Sequence, residues 1–99
     1  MYPEQGDIIK VEGIPHKLLV VSKTYFNKTG SVITCYLSDD EIETALHVPV
    51  RFEESVKTVY CEQVRYIDIK ARGYEKLASV KMSEIVEIIS VLQSIFDYN

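Results

Sequence analysis

The sequence has no tryptophan and only two cysteines, four glycines and three prolines in 99 residues. So little glycine and proline excludes a collagen-like or low-complexity chain, and 46% hydrophobic against 26% charged residues excludes a disordered one. Long apolar runs are missing too. The longest covers four residues, Leu18 to Val21, far short of the roughly 20 that cross a bilayer, so no membrane association is expected. The opening Met1-Tyr2-Pro3-Glu4-Gln5 offers neither a basic region nor an apolar stretch. No secretory signal is therefore expected, and the expected location is cytoplasmic. Cys35 and Cys61 lack C-x-x-C spacing and read as reduced, small apolar residues. With His16 and His47 they reach four ligands by count alone. That spacing matches no zinc pattern, so neither a metal nor another cofactor is expected. A basic excess is also absent: 15 acidic and 11 basic residues leave a net charge of −4. This excludes strong non-specific binding to nucleic acid and leaves room only for a local basic groove.

What is present is one domain over residues 1–99, made of short strands followed by a helix. Asp7 to Glu12 reads as a first strand, and Glu12-Gly13-Ile14-Pro15 as a turn. His16 to Ser22 is a second strand whose apolar run is buried on both faces. Lys23 to Gly30 is a loop or short helical turn. Ser31 to Leu37 is a third strand, rich in β-branched and aromatic residues. Asp39 to Thr44 is an acidic surface loop containing Asp40, Glu41 and Glu43. Ala45 to Phe52 is a fourth strand, placed at an edge or bulge by Pro49. Lys57 to Cys61 is a fifth strand, Glu62 to Arg65 a short helical turn, and Tyr66 to Ile69 and Lys76 to Val80 two further strands. Ser83 is positioned to cap a final helix. There Ile85, Ile88, Ile89, Leu92 and Phe96 recur at helical spacing, while Glu84, Glu87, Ser90, Ser94 and Asp97 occupy the other side. The fold class is mainly β with a C-terminal helix, in the order of a small SH3-like β-barrel.

Several motifs go further than this order. Gly6-Asp7-Ile8-Ile9-Lys10-Val11, Leu18-Leu19-Val20-Val21-Ser22, Tyr25-Phe26-Asn27-Lys28-Thr29-Gly30 and Cys61-Glu62-Gln63-Val64-Arg65-Tyr66-Ile67-Asp68 stand in sequence. In that order they resemble the first strand, the second strand, the Y-N-x-x-T-G loop and the D-Q-V/P-R-x-I-D motif of the MazF/PemK toxin family. The resemblance covers most of the chain. It implies the toxin of a toxin–antitoxin pair: a homodimer of SH3-like barrels that cuts single-stranded RNA at short sequences without a metal. The cognate antitoxin is then the protein partner, its disordered tail lying over the RNA groove. A relative of the same fold, the CcdB type, acts on DNA gyrase and cuts nothing, so a non-catalytic module that binds a protein partner is the alternative.

Attack by a 2′-hydroxyl on the adjacent phosphorus needs a base, an acid for the leaving 5′ oxygen, and donors that neutralise the crowded phosphate. In family toxins an arginine before the second strand and a threonine at the end of the third commonly serve. The resemblance puts the arginine position on His16 and the threonine position on Ser38. It puts the acidic position of the D-Q motif on Glu62, and an arginine found two positions earlier in some members on Tyr60. Arg-Pro has become His16-Lys17, and the loop that normally covers the RNA is cut to Glu12-Gly13-Ile14-Pro15. Histidine titrates near neutral pH and can act as acid or base. Ser38 retains a hydroxyl for a phosphate oxygen, and Glu62 can accept a proton if burial raises its pKa. The expected catalytic set is therefore His16, Ser38 and Glu62. The expected RNA contacts are Lys17, Lys28, Tyr60 and Arg65. Strand alternation sends His16 and Lys17 to opposite faces, so only one of them reaches the site.

Overall fold

In the computed structural model, which describes residues 2–40, 42 and 44–96, the apolar run of the second strand sets the architecture. Period-two alternation points Leu19 and Val21 to one side of the sheet and Leu18 and Val20 to the other, and all four are buried. A strand buried on both faces needs cover on both faces. One cover is the C-terminal helix. The other is a smaller cluster of Ile9, Val11, Ile14, Leu18, Val20, Val32, Ile67 and Ile69.

The strands are β1 (Asp7–Val11), β2 (Lys17–Val20), β3 (Ser31–Ser38), β4 (His47–Phe52), β5 (Ser55–Asp68) and β6 (Tyr74–Ser79). The helices are α1 (Thr24–Asn27), α2 (Ile69–Arg72) and α3 (Met82–Phe96). The strands form one antiparallel sheet in the order β4-β5-β3-β2-β1-β6. The mainly β class with a C-terminal helix is as expected, but the sheet is not closed: β4 and β6 are its two edges. Pro49 lies exposed on edge strand β4, where its missing N–H costs no sheet hydrogen bond.

Helix α3 lays Ile85, Ile88 and Leu92 onto Ile8, Leu19, Cys35, Val59 and Cys61. Its start differs from the expectation. Lys81, not Ser83, occupies the capping position: its carbonyl accepts from the N–H groups of Glu84 and Ile85. The Glu84 carboxylate reaches back to the Lys81 N–H at 3.1 Å and takes the Arg51 N–H at 3.0 Å. Glu84 therefore satisfies a backbone amide of the helix end and ties it to β4, which Ser83 cannot do from inside the first turn. The apolar stripe also ends earlier than its periodicity suggests, since Phe96 is 73% exposed. Asp97 of the expected polar side, and Glu41 and Glu43 of the expected acidic loop, lie outside the described residues.

The largest difference concerns β5. The expected strands at Lys57 to Cys61 and Tyr66 to Ile69 join in one strand that ends at Asp68, with Ile69 opening α2, and Glu62 to Arg65 is no helical turn. Tyr36 pairs with Tyr60 while its neighbour Cys35 pairs with Val64. Cys61, Glu62 and Gln63 are thus accommodated against a single step of β3, as a bulge in a continuous ladder. Bulges bend a strand and re-aim side chains, and this one carries the residues of the D-Q-like motif. Beyond it, Asp68 caps α2 by accepting the Ala71 N–H at 3.2 Å. The last expected strand begins earlier, at Tyr74, and ends at Ser79.

Both cysteines are free and fully buried in the helix-side core. Burial, reinforced by Cys61 and Glu62, pushes the Cys35 thiol up to about 12. Burial, then the Glu62 and Glu87 charges, pushes Cys61 up to about 11. The thiolate is the nucleophile, so neither thiol is expected to react with an aromatic disulfide reagent at pH 8 in the folded protein, whereas both should react in denaturant. Rapid labelling of the native protein would show that this core opens.

Candidate functional site

On the sheet face turned away from α3, the even-numbered residues of β3 share a side: Val32, Thr34, Tyr36 and Ser38. Val32 closes the small second core. Beyond it the same side becomes polar and aromatic. The register places Leu18 opposite Tyr36, Tyr36 opposite Tyr60, and Tyr60 opposite His47. One row therefore crosses four strands, and on three of them, β3, β5 and β4, its members are the rings of Tyr36, Tyr60 and His47. The exposed His16 ring, at the head of β2, meets Tyr36 edge-on at 4.7 Å between centroids. Tyr36 meets Tyr60 edge-on at 5.2 Å. Tyr60 stacks on His47 at 3.8 Å with planes 16° apart. Such pairs stabilise a sheet beyond their area burial, and they fix the rings in place.

Beside this row lies a cleft of about 270 Å³ lined by His16, Leu18, Tyr36, Gln63, Val64 and Arg65. The bulge supplies Gln63 and leads directly to Val64 and Arg65. The hydroxyl of the buried Thr34 donates to the Arg65 carbonyl at 3.1 Å, holding the backbone while the Arg65 side chain stays in solvent. A cation, an imidazole and an amide thus converge on one concave surface, a set that suits a phosphate oxygen and an adjoining proton transfer.

The other end of the row is acidic and more tightly bonded. His47 Nε2 lies 3.0 Å from Glu62 Oε2, and its Nδ1 lies 3.1 Å from the Ile42 carbonyl. The Glu62 hydrogen bond raises the His47 pKa above the ordinary imidazole value despite some desolvation. Burial alone would lift Glu62, but the bond from His47, with a backbone bond, outweighs it and leaves the carboxyl below its usual range. Glu62 is therefore a readily ionised carboxylate hydrogen-bonded to His47, not a carboxyl whose pKa is raised by burial. The Tyr60 hydroxyl donates to the Asp40 carboxylate, at 2.6 and 2.8 Å to its two oxygens. That bond raises the Tyr60 pKa and lowers that of Asp40. Tyr60 is consequently a neutral phenol whose proton is already engaged.

Ser38 is buried at the end of β3, and its hydroxyl accepts the Asp40 N–H at 3.2 Å. The fold thus gathers His16, Arg65, Glu62, Tyr60 and Ser38 on one side of the sheet, with only His16 and Arg65 on the cleft itself. Lys17 goes to the opposite side, its ammonium 5.9 Å from the Phe52 ring centre. Lys28 follows α1, 5.9 Å from the Tyr2 ring, and does not line the cleft. Sequence reading missed Tyr36, Asp40 and His47 as parts of the site. Among the described residues, no group of three or more His, Cys, Asp or Glu is arranged to hold a metal ion, and no helix is long and apolar enough to cross a membrane.

Solved structures share this architecture. The MazE–MazF complex from Deinococcus radiodurans superposes with a TM-score of 0.86 at 20% identity, covering 97% of each chain. An endoribonuclease in complex with its cognate antitoxin from mycobacterial species gives 0.81 at 16% identity, over 98% of this chain and 99% of that one. The Mycobacterium tuberculosis toxin MazF-mt6 gives 0.73 at 14% identity, over 93% and 98%. At such identities the likeness establishes the fold. No curated protein matches the chain in sequence. The family model of the PemK-like, MazF-like toxins of type II toxin–antitoxin systems matches residues 4–96, nearly the whole chain, and the protein belongs to that family.

Proposed function

We propose that the protein is a metal-independent, sequence-specific endoribonuclease acting on single-stranded RNA, a homodimeric cytoplasmic toxin restrained by a cognate antitoxin. The family membership and the likeness to an endoribonuclease bound to its antitoxin support this reading. The observation that carries it is the cleft where His16, Gln63 and Arg65 converge beside a fixed aromatic row.

In the proposed reaction the 2′-oxygen bonds to the adjacent phosphorus and the bond from phosphorus to the 5′-oxygen breaks. The 2′ proton passes to a base, and a proton is given to the departing 5′-oxygen. The products are a 2′,3′-cyclic phosphate and a free 5′-hydroxyl. Arg65 supplies positive charge to the phosphate. His16 takes the acid role at the position of the family arginine, and Glu62, ionised, takes the base role. Ser38, at the position of the family threonine, is assigned the hydroxyl contact to the phosphate, and Tyr60 contributes an aromatic edge to the RNA path.

The test is cleavage of a long single-stranded RNA in EDTA, with the cut ends mapped chemically. Cuts at a short recurring sequence, with cyclic-phosphate ends and insensitivity to chelation, are expected. RNA that stays intact with the folded protein would overturn the reading and leave a module that binds a protein partner.

A further inference from the structure

His47 has two ring nitrogens, and each faces a group that can only accept a hydrogen bond: the Glu62 carboxylate and the Ile42 carbonyl. A neutral imidazole carries one N–H and can serve one of them. Only the imidazolium, with two N–H groups, serves both. The two acceptors belong to different parts of the chain. Glu62 lies on the bulge of β5, and Ile42 in the connection between β3 and β4.

We propose that His47 is a proton-operated latch: charged, it fastens the β3–β4 connection to the Glu62 carboxylate, and on losing its proton it releases one of the two. The surroundings favour the charged form. From β5, Glu62 bonds to the ring and Tyr60 stacks on it, an arrangement in which an aromatic face favours a cation. From the connection, Asp40 adds negative charge close by. β4 is an edge strand, so among the described residues no named strand faces His47 from its other side, where Thr44 of the connection bridges to it. The raised His47 pKa agrees with this geometry.

The sign of the effect follows. A raised imidazole pKa means that the latch is fully present below the ordinary imidazole range and is lost as pH rises through the folded value. The lowered Glu62 pKa means that its share is present above the ordinary carboxylate range and is lost as pH falls through the folded value. The latch is closed between those two titrations and opens on the alkaline side of the ordinary imidazole range. Where the acceptor released is Glu62, a carboxylate beside Gln63 of the cleft is freed. The catalytic consequence rests on the proposed base role of Glu62 and on its release: cleavage gains with pH relative to a variant in which residue 47 carries no titrating proton.

The test reads the proton directly. In ¹⁵N-histidine-labelled protein at roughly pH 6.5, where an ordinary imidazole is half charged, more than half of His47 is expected to be charged, with both nitrogens protonated. Glu62→Gln should move its midpoint down, and His16→Ala assigns the second imidazole. A singly protonated ring at that pH, or a midpoint unmoved by Glu62→Gln, would overturn the proposal. RNA cleavage is followed in parallel from pH 6 to 8. The ratio of the wild-type rate to that of His47→Gln, which has no proton to lose, should rise with pH; parallel profiles would reject the catalytic consequence. A charged His47 in a protein that cuts no RNA at any pH would retain the latch and reject the endoribonuclease reading.

Discussion

His16→Ala is expected to lower RNA cleavage about 10²-fold or more, while the melting temperature stays within about 4 °C of the parent. The two parts of this expectation come from different features of one residue. His16 is exposed at the head of β2 and its ring makes one edge contact, to Tyr36. Its removal therefore leaves no buried cavity and no unpartnered polar group. Yet it borders the cleft that also holds Arg65 and Gln63, and it is the imidazole that lines that cleft. His47 cannot stand in for it, because Tyr36 and Tyr60 lie between them in the row and both His47 nitrogens are engaged. The measurement is a single-turnover cleavage rate on a short RNA containing one cut site, beside a thermal melt. A rate within threefold of the parent would remove His16 from the proton transfers. A large fall in melting temperature would instead show that the ring supports the fold.

The parts of this molecule that sequence reading recovers are those encoded over a few residues. Leu18 to Val21 announces a strand buried on both faces, and Ile85, Ile88 and Leu92 announce a helix on a core. The motif residues also have local explanations. Asn27 is buried and donates to the carbonyls of Pro3 and Ser22, binding the N-terminal segment to α1. Gly30 has a φ of +99°, and a Cβ there would meet Lys70 at 2.6 Å. Its carbonyl accepts the N–H groups of Ile69 and Lys70, which docks α2. The bulge was not recoverable in this way. Glu62-Gln63-Val64-Arg65 is polar without alternation and resembles a surface turn. Only β3, pairing Cys35 and Tyr36 with Val64 and Tyr60, keeps it in the sheet. The same holds for His47, which lies 15 residues from Glu62 in sequence. The β4–β5 hairpin supplied the missing clue: pairing Phe52 with Ser55 and counting back puts His47 opposite Tyr60, two residues from Glu62. The site is thus a product of register, and register is set by partners that single-segment patterns do not contain.

Ile88→Ala is expected to cost about 2–5 kcal/mol, a fall in melting temperature of at least about 8 °C for a chain of this size. Ile88 is fully buried in the cluster that joins α3 to the sheet, among residues of β1, β2, β3, β4 and β5. Truncation loses its transfer free energy and leaves a cavity, because the surrounding strands are held by their ladders and cannot close on it. Val86, on the same helix but 62% exposed, provides the contrast: Val86→Ala should change stability by less than about 0.5 kcal/mol. Equal effects of the two would mean that α3 does not pack on this core as described. The division of the sheet into two faces adds a second expectation. Ile88 acts on the helix side, whereas His16, Tyr36, Tyr60, His47 and Arg65 stand on the other. At a temperature where Ile88→Ala remains folded, its cleavage rate per folded molecule should match the parent. Stability and cleavage then separate by face: α3 holds the sheet from behind, and the bulge of β5 shapes the front.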